Sequence, residues 1–342
     1  MHRWSSRTWT AFCVVPECLP YLLDHLPRAA LSHGYLLNAM FASSAMDLAT
    51  SSASSDVPCQ SSWEQPSARY LRAALEYGNR ASTEFRDQVK SIGPQNIDLV
   101  AYFSSMVAVV TFTFPQTDET SGDGILDRVC AWIEALLASC RIGSAHLSLL
   151  LDSPCPARDI ATKYPVDLSL LDNLDAGTKE AINLMSSVSR QARLRDGRIA
   201  AQVPAYRLAV GQTKYSFAEL HRGRMMNYYV NLFPIAGDEF AAAIKSREPM
   251  ALFVMMYWGV IADKAHKEQG AWILGKMGFH LVRVVSQMIQ SSYLYGIVGV
   301  GEGIAWTRQQ VGLPPLGLEH WVGVTEMGIP PGEGVPMPIL ES

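Results

Sequence analysis

Apolar residues recur at spacings of three and four along almost the whole chain, and no convincing run alternates with a period of two. A helix brings residues three and four apart onto one face, whereas a half-buried strand requires alternation. The pattern therefore predicts an all-α chain, a single multi-helix domain of antiparallel helical hairpins. Helices are expected at about 28–49, 67–92, 95–113, 124–141, 178–195, 216–232, 238–246, 249–268 and 271–292. Between them lie breakers: a Ser-rich stretch at 50–62, PQTDETSGDG at 115–124, SPCPARD at 153–159 and a Gly/Pro-rich tail from Gly312. These divide the chain into an N-terminal extension (1–25), a helical domain (26–311) with the Ser-rich loop (50–62) inside it, and a C-terminal tail (312–342). No internal repeat of 20–50 residues is evident.

The helix limits have local causes. Ser67 is placed to cap the second helix, whose stripe runs through Leu71, Ala74, Leu75, Ala81, Phe85 and Val89. Gly93-Pro94 ends it, since glycine tolerates a left-handed cap and proline cannot continue the hydrogen-bond ladder. The next helix offers Val100, Phe103, Met106, Val107 and Val110, so an antiparallel hairpin across Gly93-Pro94 is expected. The longest apolar run, Pro249 to Ala262, has 14 residues. A bilayer needs about 20, so this run is expected to be a buried helix and no membrane contact is foreseen. At the N-terminus, Glu17 and two prolines interrupt the apolar residues before a signal-peptide core forms, which predicts an intracellular protein, nuclear or cytoplasmic.

Of the 342 residues, 28 are Lys or Arg and 32 Asp or Glu, a net charge of −4. With no basic block to attract phosphates, direct nucleic-acid binding is disfavoured. Apolar residues make up 49% and charged ones only 18%, against about 25% in an average soluble protein. The missing charge implies a large interior or an apolar surface that meets a ligand or partner. Six cysteines are spread too thinly for a disulfide scaffold or for paired zinc thiolates, so they read as reduced, buried thiols. The eight histidines form no HExxH, and no G-x-S-x-G is present. The glycines at Gly296, Gly299, Gly301 and Gly303 lack the βαβ frame of a dinucleotide site and read as a bend between the last two helices. Arg190, Arg193, Arg195 and Arg198 read as a solvated helix end, the alternative being contact with phosphate or an acidic partner.

Asn79, Thr83 and Asp87 stand at i, i+4 and i+8, which stacks three oxygens on one helix face. The first reading is a solvated outer face. The alternative is a Mg2+ site, because magnesium prefers hard oxygen ligands. This spacing loosely resembles the Asn/Ser/Glu metal motif of class I terpene cyclases, but the Asp-rich partner motif is missing. No catalytic residue is nominated.

Leu26 to Ala49 (LPRAALSHGYLLNAMFASSAMDLA), Tyr70 to Val89 (YLRAALEYGNRASTEFRDQV), the helix ending in FTFP, FPIAGDEFAAAIKSREPMALFVMMYWGVIAD and AWILGKMGFHLVRVV follow one another in a familiar order. Together, over about residues 20–310, they resemble the regulatory domain of fungal zinc-cluster transcription factors of the sterol uptake control type. The resemblance implies an all-helical domain that senses a hydrophobic small molecule, in the prototype a sterol, and passes that state to transcription in the nucleus. The six closely spaced cysteines of a zinc cluster are absent from this sequence. Action through a protein partner or a homodimer is therefore expected, with no cofactor and no direct contact with nucleic acid.

Fourteen methionines and many aromatics suit an adaptable apolar pocket, and the candidate ligand-lining residues are Met255, Met256, Trp258, Phe103 and Met106. Asp47 and Asp263 stand beside long apolar stretches, where an unpaired carboxylate is costly. They are expected at the surface, paired with a base such as Lys264 or Arg283, or in a site. The alternative function is an enzyme of a fungal isoprenoid or polyketide pathway, in secondary metabolism, reusing the same fold as a metal-assisted lyase or cyclase. That reading requires Asp47, Asp263 and the Asn79/Thr83/Asp87 face to converge on one cavity. A third reading is an interaction module, which predicts an apolar patch larger than the few hundred Å2 usual for a monomer.

Overall fold

A computed structural model describes residues 1–13, 15–53, 66–114, 122–163, 167–195, 197, 202–221 and 230–317. Among them there is no β-strand, and the fold is all-α. The long helices are α1 (Gly34–Ala53), α2 (Pro66–Gln88), α3 (Ile97–Thr113), α4 (Gly122–Ala145), α5 (Ala176–Arg195), α6 (Val203–His221), α7 (Leu232–Lys245), α8 (Pro249–Gln269), α9 (Met277–Gln290) and α10 (Val300–Val311). No helix among the described residues is long and apolar enough to cross a membrane.

Helix α2 does have two partners, but its principal one is α1, not α3 as the Gly93-Pro94 turn suggested. The pairing with α1 is antiparallel: Tyr35 meets Phe85 at 5.5 Å, Asn38 Nδ2 donates to Glu84 Oε1 at 3.1 Å, and Phe41 meets Tyr77 at 5.2 Å. Small buried residues of α2, Ala74 and Ala81, permit this approach. The expected contact with α3 is narrower and centres on Phe85 stacked against Phe103 at 4.3 Å. Asn96 holds the intervening turn, its Oδ1 accepting from Gly93 N at 2.9 Å. Most of α3 faces α4 instead, through Phe112 on Trp132 at 4.4 Å and a hydroxyl pair between Ser104 and Ser139 at 2.8 Å.

The Ser-rich stretch does not begin as a loop, because α1 continues to Ala53. Ser51 and Ser52 return their hydroxyls to Asp47 O at 2.7 Å and Leu48 O at 2.8 Å, which lets polar residues sit inside the helix. The rest of that stretch, with Cys59, lies outside the described residues, as do most of the 115–124 breaker, Asp196, Arg198 and the tail beyond Gly317. Two short helices, Leu147–Asp152 and Ala157–Lys163, flank the SPCPARD breaker and were not foreseen. The helix expected at 216–232 starts much earlier, at Val203. The one expected at 271–292 starts later, because Gly270 and Gly275 adopt positive φ of 69° and 47° and turn the chain before Met277.

Buried anchors hold the N-terminal segment against the core. Trp4 is fully buried and donates through Nε1 to Leu22 O at 2.9 Å, and Cys18, Tyr21 and Leu22 are buried with it. Farther along the chain lies α8. Glu248 caps it by accepting from Met250 N and Ala251 N, Pro249 opens its first turn, and Gly270 closes it in the left-handed conformation. Helix α9 crosses it at a glycine pair: a Cβ on Gly278 would stand 2.4 Å from Gly259 O.

Candidate functional site

Helix α3 presents Ala101, Ser105 and Ala108 at i, i+4 and i+7, a stripe of small side chains on one face. Trp132 and Leu136 of α4 stand opposite. Phe12 of the N-terminal segment, Cys155 and Ile160 from the region of the short helices, and Ile273 complete the walls. Because the α3 residues are too small to fill the gap, a cavity of about 250 Å3 remains. Among the described residues no charged side chain lines it.

One side chain in the wall is unlike the rest. The ring of Tyr102 lines the cavity and stacks on Tyr21 at 4.8 Å, while no hydrogen bond reaches its hydroxyl among the described residues. Burial pushes that hydroxyl well above the ordinary phenol range, and the nearby thiols of Cys18 and Cys155 push it the same way. It is a neutral donor at any physiological pH. The neighbouring Tyr21 is already engaged, donating to Asp98 Oδ2 at 2.8 Å, and burial followed by the Asp98 charge raises its pKa as well. Asp98 is buried in the first turn of α3, where the helix dipole favours a carboxylate, and His25 Nε2 lies 3.8 Å from the same oxygen.

Beyond Cys155 and Pro156 an open polar groove of about 700 Å3 adjoins the cavity. Its carboxylates are paired: Asp24 with Arg28 at 2.6 Å, Glu17 and Asp159 with Lys163 at 3.6 and 3.5 Å, and Asp152 with Arg158. Among the described residues no three His, Cys, Asp or Glu side chains converge as metal ligands. Burial raises the pKa of Cys130, Cys140 and Cys155, so each stays a thiol at neutral pH.

The residues nominated from sequence fall elsewhere. Met255, Met256 and Trp258 are fully buried in α8, and Trp258 is packed against Trp132 at 5.6 Å and Phe233 at 5.3 Å, so this Met-rich stripe is core and borders none of the cavities described. Phe103 is held by Phe85 and by an edge contact with Tyr35 at 5.3 Å. Met106 borders a smaller hollow of about 160 Å3 between α1, α2 and α3. Asn79, Thr83 and Asp87 are exposed along α2, as a solvated face requires. Arg190 and Arg195 are likewise exposed.

Both flagged aspartates are buried and paired, though with bases other than Lys264 and Arg283. Asp47 accepts from Arg3 Nε at 2.7 Å, Arg3 Nη2 at 2.9 Å and Thr8 Oγ1 at 2.9 Å, while Asp263 pairs with Lys267 at 2.7 Å. Asp47 belongs to α1 and Asp263 to α8, and neither lines a cavity with the other or with the Asn79 face. The convergence that the lyase reading required is absent among the described residues. Tyr102 and the small-residue stripe were missed, although the signal was legible: Ala101, Ser105 and Ala108 are the small residues of a helix otherwise rich in Val, Phe and Met.

No family model, no curated protein and no solved structure matches the chain. Fold and site therefore define it by themselves as an all-α protein with an apolar cavity between helices.

Proposed function

We propose that the protein is a ligand-sensing helical domain that takes a hydrophobic small molecule into the α3–α4 cavity and passes that state to a protein partner in transcription regulation. The observation that carries the binding half is the cavity of about 250 Å3, whose described lining residues carry no charge. The regulatory half is supported by the ordered resemblance over residues 20–310. The cavity walls come from α3, α4, the N-terminal segment and the two short helices, so an occupant contacts segments far apart in sequence and ties them together. A ligand at a hundred times its dissociation constant adds about 2.7 kcal/mol to stability.

Native mass spectrometry of the protein purified from a eukaryotic host tests this reading. The expected result is a stoichiometric apolar small molecule whose removal lowers the melting temperature. Empty protein that no apolar compound stabilises overturns it.

A further inference from the structure

We infer that residues 318–342 bind across the α5–α6 face of the same chain, their glutamates against Arg190, Arg195, Arg207 and Lys214 and their apolar side chains over Leu194 and Val298. None of these face residues lines the α3–α4 cavity. Two helices build the face. Arg190, Leu194 and Arg195 are exposed on the last turns of α5, with Leu194 between the two cations. Arg207 and Lys214 share one face of α6, and a Cβ on Gly211 between them would meet nothing within 4 Å, so this face is open. Burial, and after it the charge of Arg190, lowers the pKa of Lys214, which sets cations of the two helices side by side. Among the described residues none of the four cations pairs with a carboxylate. Asp196 and Arg198, outside the described residues, add one charge of each sign.

Apolar exposure is concentrated here as well. Leu194 is 88% and Val298 77% exposed, the two highest values among the large apolar side chains described. Gln191 Nε2 and Arg195 Nη1 tie α5 to the turn that carries Val298, donating to Val298 O and Gly296 O, each at 3.4 Å. Like charges held together beside bare apolar side chains favour a cover that is both acidic and apolar. The chain contains such a segment. Residues 318–342 hold Glu319, Glu326, Glu333 and Glu341, four of the 32 acidic residues, and none of the 28 Lys and Arg. They carry the whole net charge of −4, so residues 1–317 balance. Trp321, Val322 and Val324 stand between the first two glutamates. Reach is ample: Trp306 of α10 packs on Phe217 of α6 at 5.9 Å, one turn from Lys214, and the stretch from Leu318 to Glu326 extends up to about 30 Å. Exposed ion pairs are individually weak, but tethering raises the local concentration to the order of millimolar, which favours the chain's own segment over a free acidic peptide.

Zero-length carbodiimide crosslinking of the full chain, read by peptide mass spectrometry, tests this, because Lys214 is the one amine among the four cations. Mixing isotopically light and heavy chains separates links within a chain from links between copies. We expect Lys214 joined to a glutamate of 318–342 within one chain, as the strongest link from that segment to any lysine. The double variant Arg190→Glu/Arg195→Glu, checked for an unchanged circular dichroism spectrum, should cut that link about tenfold, as should about 1 M salt, whose screening length is about 3 Å. Arg86→Glu, on the exposed face of α2, should leave it unchanged. No link to Lys214, links spread evenly over other lysines, or a link that survives both the double variant and salt overturns the inference. Links between light and heavy chains put a second copy's segment on the face and overturn the same-chain assignment.

Discussion

Along α8, every side chain from Met250 to Ala262 is at most 2% exposed, and its aromatics interlock with those of α4 and α7. Along α3, Val100, Met106 and Phe112 are as deeply buried, yet the face carrying Ala101, Ser105 and Ala108 leaves a void. The difference is one of volume and not of polarity. Methionine and tryptophan fill the space they reach, because close-packed interiors favour side chains that leave no gap. Space for a ligand survives where alanine and serine face large residues across an interface that the backbones cannot close.

The largest effect expected from this contrast is at Trp258. Truncation to Ala removes a fully buried ring between Trp132 and Phe233 and should cost about 3–5 kcal/mol in chemical denaturation. A cost below about 1 kcal/mol would mean that the α8 surroundings are loosely packed.

Next comes Arg3→Met. Asp47 is fully buried and would keep Thr8 and the longer contacts to Arg7 and Ser51, each at 3.5 Å, so a loss of about 1–3 kcal/mol is expected. A neutral outcome in the same denaturation assay would show that the N-terminal segment does not close this side of the core.

A matched pair gives the sharpest comparison. Ala262→Leu inserts volume where none is free and should cost about 1–3 kcal/mol, whereas Ala101→Leu grows into the cavity and should change stability by less than about 1 kcal/mol. Equal costs at the two positions would erase the distinction.

The smallest effect appears with pH. Burial pushes Tyr35 up to about 12 and raises Tyr21, Tyr102 and Tyr257 as well, against about 10 in the unfolded chain. A raised folded-state pKa contributes stability that is complete below the unfolded value and is lost as pH rises through the folded one. Stability should therefore fall above pH about 10, and ultraviolet titration should show these tyrosines ionising only as the protein unfolds. Free titration of all tyrosines in the folded state contradicts their burial.

Much of the fold was legible because helical periodicity survives any tertiary context. The buried run from Pro249 to Ala262 was read from residue types alone. Partner choice was less legible. The turn at Gly93-Pro94 suggested α3 as the mate of α2, but the small residues Ala74 and Ala81 set a closer approach to α1. The N-terminal segment was hidden because its anchors are single long-range contacts, Trp4 to Leu22 and Arg3 to Asp47, and leave no periodic trace. For Asp47 and Asp263 the sequence left surface, pairing and a site open; the structure pairs them with Arg3 and Lys267. The α3–α4 cavity was not foreseen because adaptable residues were read as lining, when a cavity is left by residues too small to fill it.

The most direct measurement is a crystal structure of the protein under xenon pressure, since xenon enters dry apolar cavities without needing a chemically matched ligand. The account predicts xenon between α3 and α4, beside Ala108 and Trp132, and none around Met255 and Met256. Xenon among the α8 side chains with the α3–α4 cavity empty would contradict it.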